Sequence, residues 1–202
     1  MNAHAKIATL FRSPDKVVKL FRSPDKVVKK YAKKFWARLN GHIPSMLDED
    51  YNKHWNYTSF VGKTVLDLGA DYGSTADYFL LNGAKRVIAV EGDKELARKL
   101  YGNFGNDKRV VCIEKWISSG KDVNMLIEKY HPDIVKVDIE GAEKSLLDVD
   151  VAKVKEWLIE THTKELYRMI SKFFTQNGFK VSTVEYGKTV NAPEIKVLIG
   201  KG

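Results

Sequence analysis

The chain has 202 residues, 44% hydrophobic and 30% charged, with a formal net charge of +8. That balance suits a folded protein with one full domain and an appendage. No apolar run approaches the roughly 18 residues that cross a bilayer, and the N-terminus has no uninterrupted apolar stretch of leader type. Cys112 is the only cysteine, which excludes an intrachain disulfide and points to a reducing, cytoplasmic setting.

The charge is uneven. Residues 1–45 carry eleven Lys/Arg against Asp15 and Asp25, while the remainder is close to neutral. Within this arm Leu10–Lys19 recurs without change as Leu20–Lys29. Two copies are too few for a solenoid. Each Ser-Pro-Asp places a hydroxyl at the N-cap, proline at the first helical position and a carboxylate in the first turn. The second copy predicts a helix from about Pro24 to Leu39. Val28, Tyr31, Phe35 and Leu39 share one face, and lysines with Arg38 fill most of the rest. Such a basic arm fits RNA phosphate, an anionic membrane surface, or only a solvated helix packed on the body. Asn40-Gly41-His42-Ile43-Pro44 ends the helix, and residues 45–62 read as an irregular lead-in.

From Lys63 apolar β-rich runs alternate with helical stretches. Strands are expected at Thr64–Leu68, Arg86–Val90, Arg109–Ile113, Asp133–Asp138 and Lys155–Ile159. Helices are expected at Ser74–Leu81, Lys94–Tyr101, Val123–Tyr130, Ala142–Leu147 and Lys164–Asn177. Lys180–Glu185 and Glu194–Ile199 close as a hairpin. Near-continuous apolar strands are those of a sheet covered on both faces. The fold class is therefore α/β, a doubly wound seven-stranded sheet with an antiparallel last strand, over residues 46–202, preceded by the helical arm of residues 1–45.

In such sheets ligands bind at the carboxyl ends of the strands. The first strand runs into Asp67-Leu68-Gly69-Ala70-Asp71-Tyr72-Gly73-Ser74, where Gly69 and Gly73 permit a tight turn and close approach of backbone to ligand. A dinucleotide pyrophosphate asks for G-x-G-x-x-G. Here Asp71 stands where the second glycine belongs and Ser74 where the third does. A carboxylate repels pyrophosphate and suits a sulfonium or an amino group, so the loop favours S-adenosylmethionine over NAD. Glu91 closes the second strand twenty-four residues after Asp67, the distance at which an acid reaches ribose hydroxyls.

The run Lys136-Val137-Asp138-Ile139-Glu140-Gly141-Ala142-Glu143 resembles, without a gap, the strand-four motif of FkbM-type methyltransferases. The Asp67–Gly73 loop is similar to their first motif, with Asp71 in place of asparagine. Val90-Glu91 is similar to their second, with Gly92 where proline is common. Leu158–His162 and Asn177-Gly178-Phe179 resemble their fifth strand and the step before the sixth. The resemblance spans about residues 60–200 and leaves the arm aside. It implies a class I, Rossmann-like methyltransferase fold and S-adenosylmethionine as methyl donor, with S-adenosylhomocysteine as product. O-methylation is typical of the family. Cofactor contacts are then expected from Asp67, Gly69, Ala70, Asp71, Gly73, Glu91, Gly92 and Asp138. The resemblance also places Lys115 and Trp116 in the loop that flanks the adenine, where Trp116 either stacks on the base or packs in the core.

Methyl transfer to a hydroxyl needs a positioned acceptor and a base. Asp138 and Glu140 end the fourth strand; Glu160 and His162 end the fifth, and alternation puts these last two on one side. These four are the candidate catalytic residues. Asp138, Glu160 and His162 are of types that share a divalent ion, yet no His/Asp/Glu spacing motif is present and no metal is expected. The first expectation is an S-adenosylmethionine-dependent methyltransferase acting on oxygen of a small molecule, sugar or lipid headgroup. An RNA methyltransferase using the basic arm and a non-catalytic S-adenosylmethionine-binding protein are the alternatives. A nicotinamide oxidoreductase is disfavoured by Asp71.

Overall fold

The computed structural model describes residues 51–186 and 195–202. The tandem repeat, the basic helix and the turn at residues 40–44 lie outside the described residues, as does the tip of the terminal hairpin. The elements are α1 (Tyr51–His54), β1 (Thr64–Leu68), α2 (Ser74–Leu81), β2 (Arg86–Glu91), α3 (Lys94–Phe104), β3 (Val110–Glu114), α4 (Gly120–Tyr130), β4 (Ile134–Val137), β5 (Glu156–Thr161), α5 (Lys164–Gln176), β6 (Lys180–Tyr186) and β7 (Ile195–Lys201). Short 3-10 turns at Glu143–Asp148 and Val151–Lys153 stand where the sequence predicts the helix after β4. No helix among the described residues is long and apolar enough to cross a membrane.

The strands form one sheet in the order β3-β2-β1-β4-β5-β7-β6. β1 to β5 are mutually parallel, and β7 runs antiparallel to both β5 and β6. The expected doubly wound sheet with a terminal hairpin is present. Strand order reverses between β1 and β4, so the carboxyl ends of β2, β1, β4 and β5 border the crevice where such sheets take ligands.

Alternation assigns the two faces. Leu66, Leu68, Ile88, Val90, Val135, Val137, Trp157 and Ile159 form one core with Val123, Leu126 and Ile127 of α4 and with Ile170 and Phe174 of α5. The other set in β1, β2 and β4 includes Val65, Asp67, Val87, Ala89, Ile134 and Lys136, all inaccessible. Phe79 of α2 and Ala97 and Leu100 of α3 are fully buried as well. The helices start where side chains satisfy the first-turn N–H groups. The Asp93 carboxylate accepts from the backbone of Glu95 and Leu96, and Thr163 accepts from Leu166. Ser119 and Asp122 form a reciprocal capping box that begins α4 three residues earlier than apolar spacing alone indicates.

Gly69 lies in left-handed backbone (φ 76°), and a Cβ there would sit 1.7 Å from the Asp138 carbonyl oxygen. Glycine thus lets the end of β1 touch the end of β4. Gly69→Ala is expected to cost about 2 to 4 kcal/mol, from left-handed strain plus overpacking. Urea unfolding of the variant measures this.

Candidate active site

The loop after β1 is held by its own backbone. The N–H groups of Gly69 and Ala70 both donate to the Val90 carbonyl, and Gly73 N–H donates to Ala70. Asp71, at φ 52°, donates its N–H to Glu91 Oε2 at 2.8 Å. Glu91 Oε1 accepts from the Asp93 N–H, also at 2.8 Å. Four amides of a loop that would cradle a pyrophosphate therefore already have protein acceptors. Each Glu91 oxygen retains a second lone pair, so the carboxylate stays able to accept from a diol.

Two sequence candidates support this loop from beneath rather than facing a ligand. Asp67 is wholly inaccessible; it accepts from Thr75 Oγ1 at 2.6 Å and pairs with the Lys136 ammonium at 3.1 Å. Ala70 is likewise buried. The expectation that Asp67 touches the cofactor is corrected by this burial. The Lys115 ammonium pairs with Asp122 at 2.8 Å, tying the end of β3 to the cap of α4. Trp116 is 69% exposed, so it is not a core residue. Its indole lies against Gly92, where a Cβ would come within 2.5 Å of it. The departure from the usual proline at position 92 makes room for this ring.

Lys136 went unremarked as a functional side chain, because it sits within an apolar strand. It is fully buried and donates to the Gly69 carbonyl at 2.6 Å. It also faces Asp138 at 3.7 Å, and the Trp55 ring centroid at 5.4 Å. Burial alone would pull its ammonium down; Asp67 and Asp138 outweigh that and hold it above its usual value. Trp55, expected in an irregular lead-in, is 1% exposed and covers this charge.

At the ends of β4 and β5 the structure brings together Asp138, Glu140, Glu160 and His162. His162 Nε2 is 3.6 Å from Asp138 Oδ1 and 3.8 Å from Glu140 Oε1. Its other nitrogen, Nδ1, hydrogen-bonds Glu143 Oε1 at 2.5 Å, and the Glu143 side chain is inaccessible. Glu143, last acid of the strand-four motif, is thus the group that orients His162, and Glu160 does not do so. Glu140 holds left-handed backbone at φ 39°, a strained state for a residue with a Cβ. Burial, then the Asp138 charge, pushes the Glu160 carboxyl up to about 7. Glu143 raises His162 to about 9, against the opposing effect of burial.

A histidine raised from its ordinary value stabilises the fold fully below that value and loses its contribution as pH rises through the folded one. In buffer stripped of divalent cations, stability should therefore decline between about pH 6.5 and 9, by on the order of 2 kcal/mol. Urea midpoints across that range measure it, and Glu143→Gln should flatten the decline.

Comparisons with known proteins follow the same lines. No family model matches the chain. "Uncharacterized protein 158B" of Sulfolobus islandicus rod-shaped virus 1 is 32% identical over 114 residues, 55% of this chain and 70% of that protein. The chain belongs to the family of that viral protein. "Uncharacterized protein 65" of a Sulfolobus islandicus filamentous virus (isolate Iceland/Hveragerdi) is 29% identical over 129 residues, 61% of this chain and 75% of its own length. Among solved structures, precorrin-6y C5,15-methyltransferase from Geobacter metallireducens GS-15 superposes with a TM-score of 0.51 at 17% identity, covering 69% of this chain and 80% of that one. The 158B-family chain therefore shares the Rossmann-like methyltransferase fold; at this identity the likeness speaks for fold alone.

Proposed function

We propose that the protein is an S-adenosylmethionine-dependent methyltransferase that acts on a hydroxyl oxygen. The observation that carries the reading is the Glu91 carboxylate, fixed at the end of β2 by the Asp71 and Asp93 amides. It stands in a crevice whose loop amides are already engaged. That donor set suits a nucleoside diol and suits a pyrophosphate poorly. The residues present fit the nucleoside: Glu91 accepts from hydroxyls, and the exposed Trp116 ring against Gly92 offers a flat apolar face. The Lys136–Glu143 motif supports an FkbM-type assignment.

Bound there, S-adenosylmethionine supplies a methyl group on a sulfonium. The chain's own residues hold the acceptor and its proton. Asp138 is partly exposed at the edge of the cluster, where an acceptor hydroxyl can meet it. Glu160, at about 7, has the proton affinity that suits a base near neutral pH. His162, at about 9 while it carries its own proton, serves as a positive neighbour and not as the base. An acceptor hydroxyl held beside that methyl would pass its proton to a carboxylate of this cluster as its oxygen takes the methyl group.

Acceptor class rests on the chemistry of the cluster, and a small molecule, sugar or lipid headgroup is the first proposal. Transfer of labelled methyl is to be measured across panels of sugars, phenols, lipid headgroups and short RNAs. Methylation of a hydroxyl in the first three supports the proposal. Transfer only to RNA, steep in salt and lost without residues 1–45, would replace it with the RNA reading. Cofactor binding with no transfer to any acceptor would favour a binding protein.

A further inference from the structure

The cluster at the ends of β4 and β5 contains more acid than its hydrogen bonds use. One oxygen each of Asp138 and Glu140 and one nitrogen of His162 lie within 4.8 Å of one another. The imidazole Nε2, at 3.6 and 3.8 Å from the two carboxylates, is beyond hydrogen-bonding distance of either. Around an octahedral ion with ligands at about 2.1 Å, neighbouring donors stand about 3 Å apart and opposite ones about 4.2 Å. The observed spacings approach that pattern, and Glu140, whose side chain is 86% exposed, is free to swing inward.

Two further observations point the same way. His162 turns Nδ1 to the buried Glu143 carboxylate, so Nε2 faces the two acids, and a bound cation would take the place of the Nε2 proton. Carboxylate–histidine–metal arrangements fix the imidazole in this manner. Glu160 is 6% exposed. The charges acting on it are Asp138, His162, Lys136 and Glu140, so it lies against the same cluster. A buried acid beside two further carboxylates is costly to ionise unless a cation answers the cluster.

We infer that Asp138, Glu140 and His162 form a binding site for a divalent cation, with Glu160 behind it and Glu143 as the positioning residue for His162. Two oxygens and one imidazole nitrogen suit a hard to borderline ion such as Mn2+ or Mg2+, and three ligands leave coordination positions open. The sequence showed no metal motif because the ligands come from two loops more than twenty residues apart. The site stands on the side chains alone. Its use, to hold and acidify an acceptor oxygen beside the methyl donor, rests on the methyl-transfer reading.

The test uses the full chain stripped by chelator and titrated with Mn2+ alone, free Mn2+ being read by electron paramagnetic resonance. One ion per chain at micromolar to tens of micromolar dissociation constant is expected. His162→Ala and Asp138→Asn should each weaken it at least ten-fold, and Glu143→Gln by about 10- to 100-fold. In wild type, substoichiometric Mn2+ should broaden the His162 ring resonances before those of the other histidines. That measurement stands even where a variant fails to fold. Absence of binding below millimolar Mn2+, affinity unchanged in both folded ligand variants, or broadening that spares His162 would overturn the site, and the cluster would then be an imidazolium ion pair. No nucleotide is present in the titration. Loss of the metal site and loss of S-adenosylmethionine binding are therefore separate results.

Discussion

Lys136→Met is expected to destabilise the protein by about 3 to 5 kcal/mol, the usual cost of breaking one side of a buried ion pair. The ammonium is wholly inaccessible and stands 3.1 Å from Asp67, which is equally buried. It also donates to the Gly69 carbonyl at 2.6 Å. Without it, the Asp67 carboxylate keeps only the Thr75 hydroxyl as a side-chain partner among the described residues. The turn that joins β1 to the ligand-binding edge loses one of its ties to β4. Most of the cost comes from leaving a bare charge inside the sheet, so Lys136→Met combined with Asp67→Asn should be less destabilised than Lys136→Met alone. Urea unfolding of the two single variants and the double variant tests this. A loss below about 1 kcal/mol in Lys136→Met would mean that the pair does not carry the loop.

Glu91→Ala is expected to weaken S-adenosylmethionine binding by about 10- to 100-fold, the equivalent of one or two hydrogen bonds to a charged group. Both carboxylate oxygens accept a backbone N–H, one from Asp71 in the loop after β1 and one from Asp93 at the start of α3. The substitution removes the acceptor for the nucleoside diol and also releases two loops that frame it. Glu91→Gln retains one oxygen acceptor and should fall between the two. Calorimetry measures the affinities, with circular dichroism to confirm that each variant is folded. Unchanged affinity in a folded Glu91→Ala protein would mean that the ligand does not rest on β2.

The sheet was legible in the sequence because its strands are short apolar runs separated by helices with clear starts. β1, for example, has the expected bounds, Thr64–Leu68. The start of α4 moved because a polar residue acts as a cap. Ser119 with Asp122 begins α4 at Gly120, before the apolar periodicity sets in. The Gly69, Gly73 and Glu91 positions were legible because each needs a particular residue type at a strand end. Lys136 was not, since a lysine between valines on a buried strand looks like an error until Asp67 and Trp55 are seen on either side of it. Glu143 lay inside a recognised motif, but its partner His162 is 19 residues away on another strand end. Lys115 and Trp116 are adjacent in sequence and part company in space, one toward Asp122 and the other against Gly92.

The most direct measurement is calorimetric titration of the wild-type protein with S-adenosylmethionine and S-adenosylhomocysteine, with NAD in parallel. One site per chain with micromolar affinity for both sulfur nucleotides and none for NAD is the predicted result. No binding of either sulfur nucleotide, or a preference for NAD, would contradict it and leave the Glu91 crevice with a different ligand.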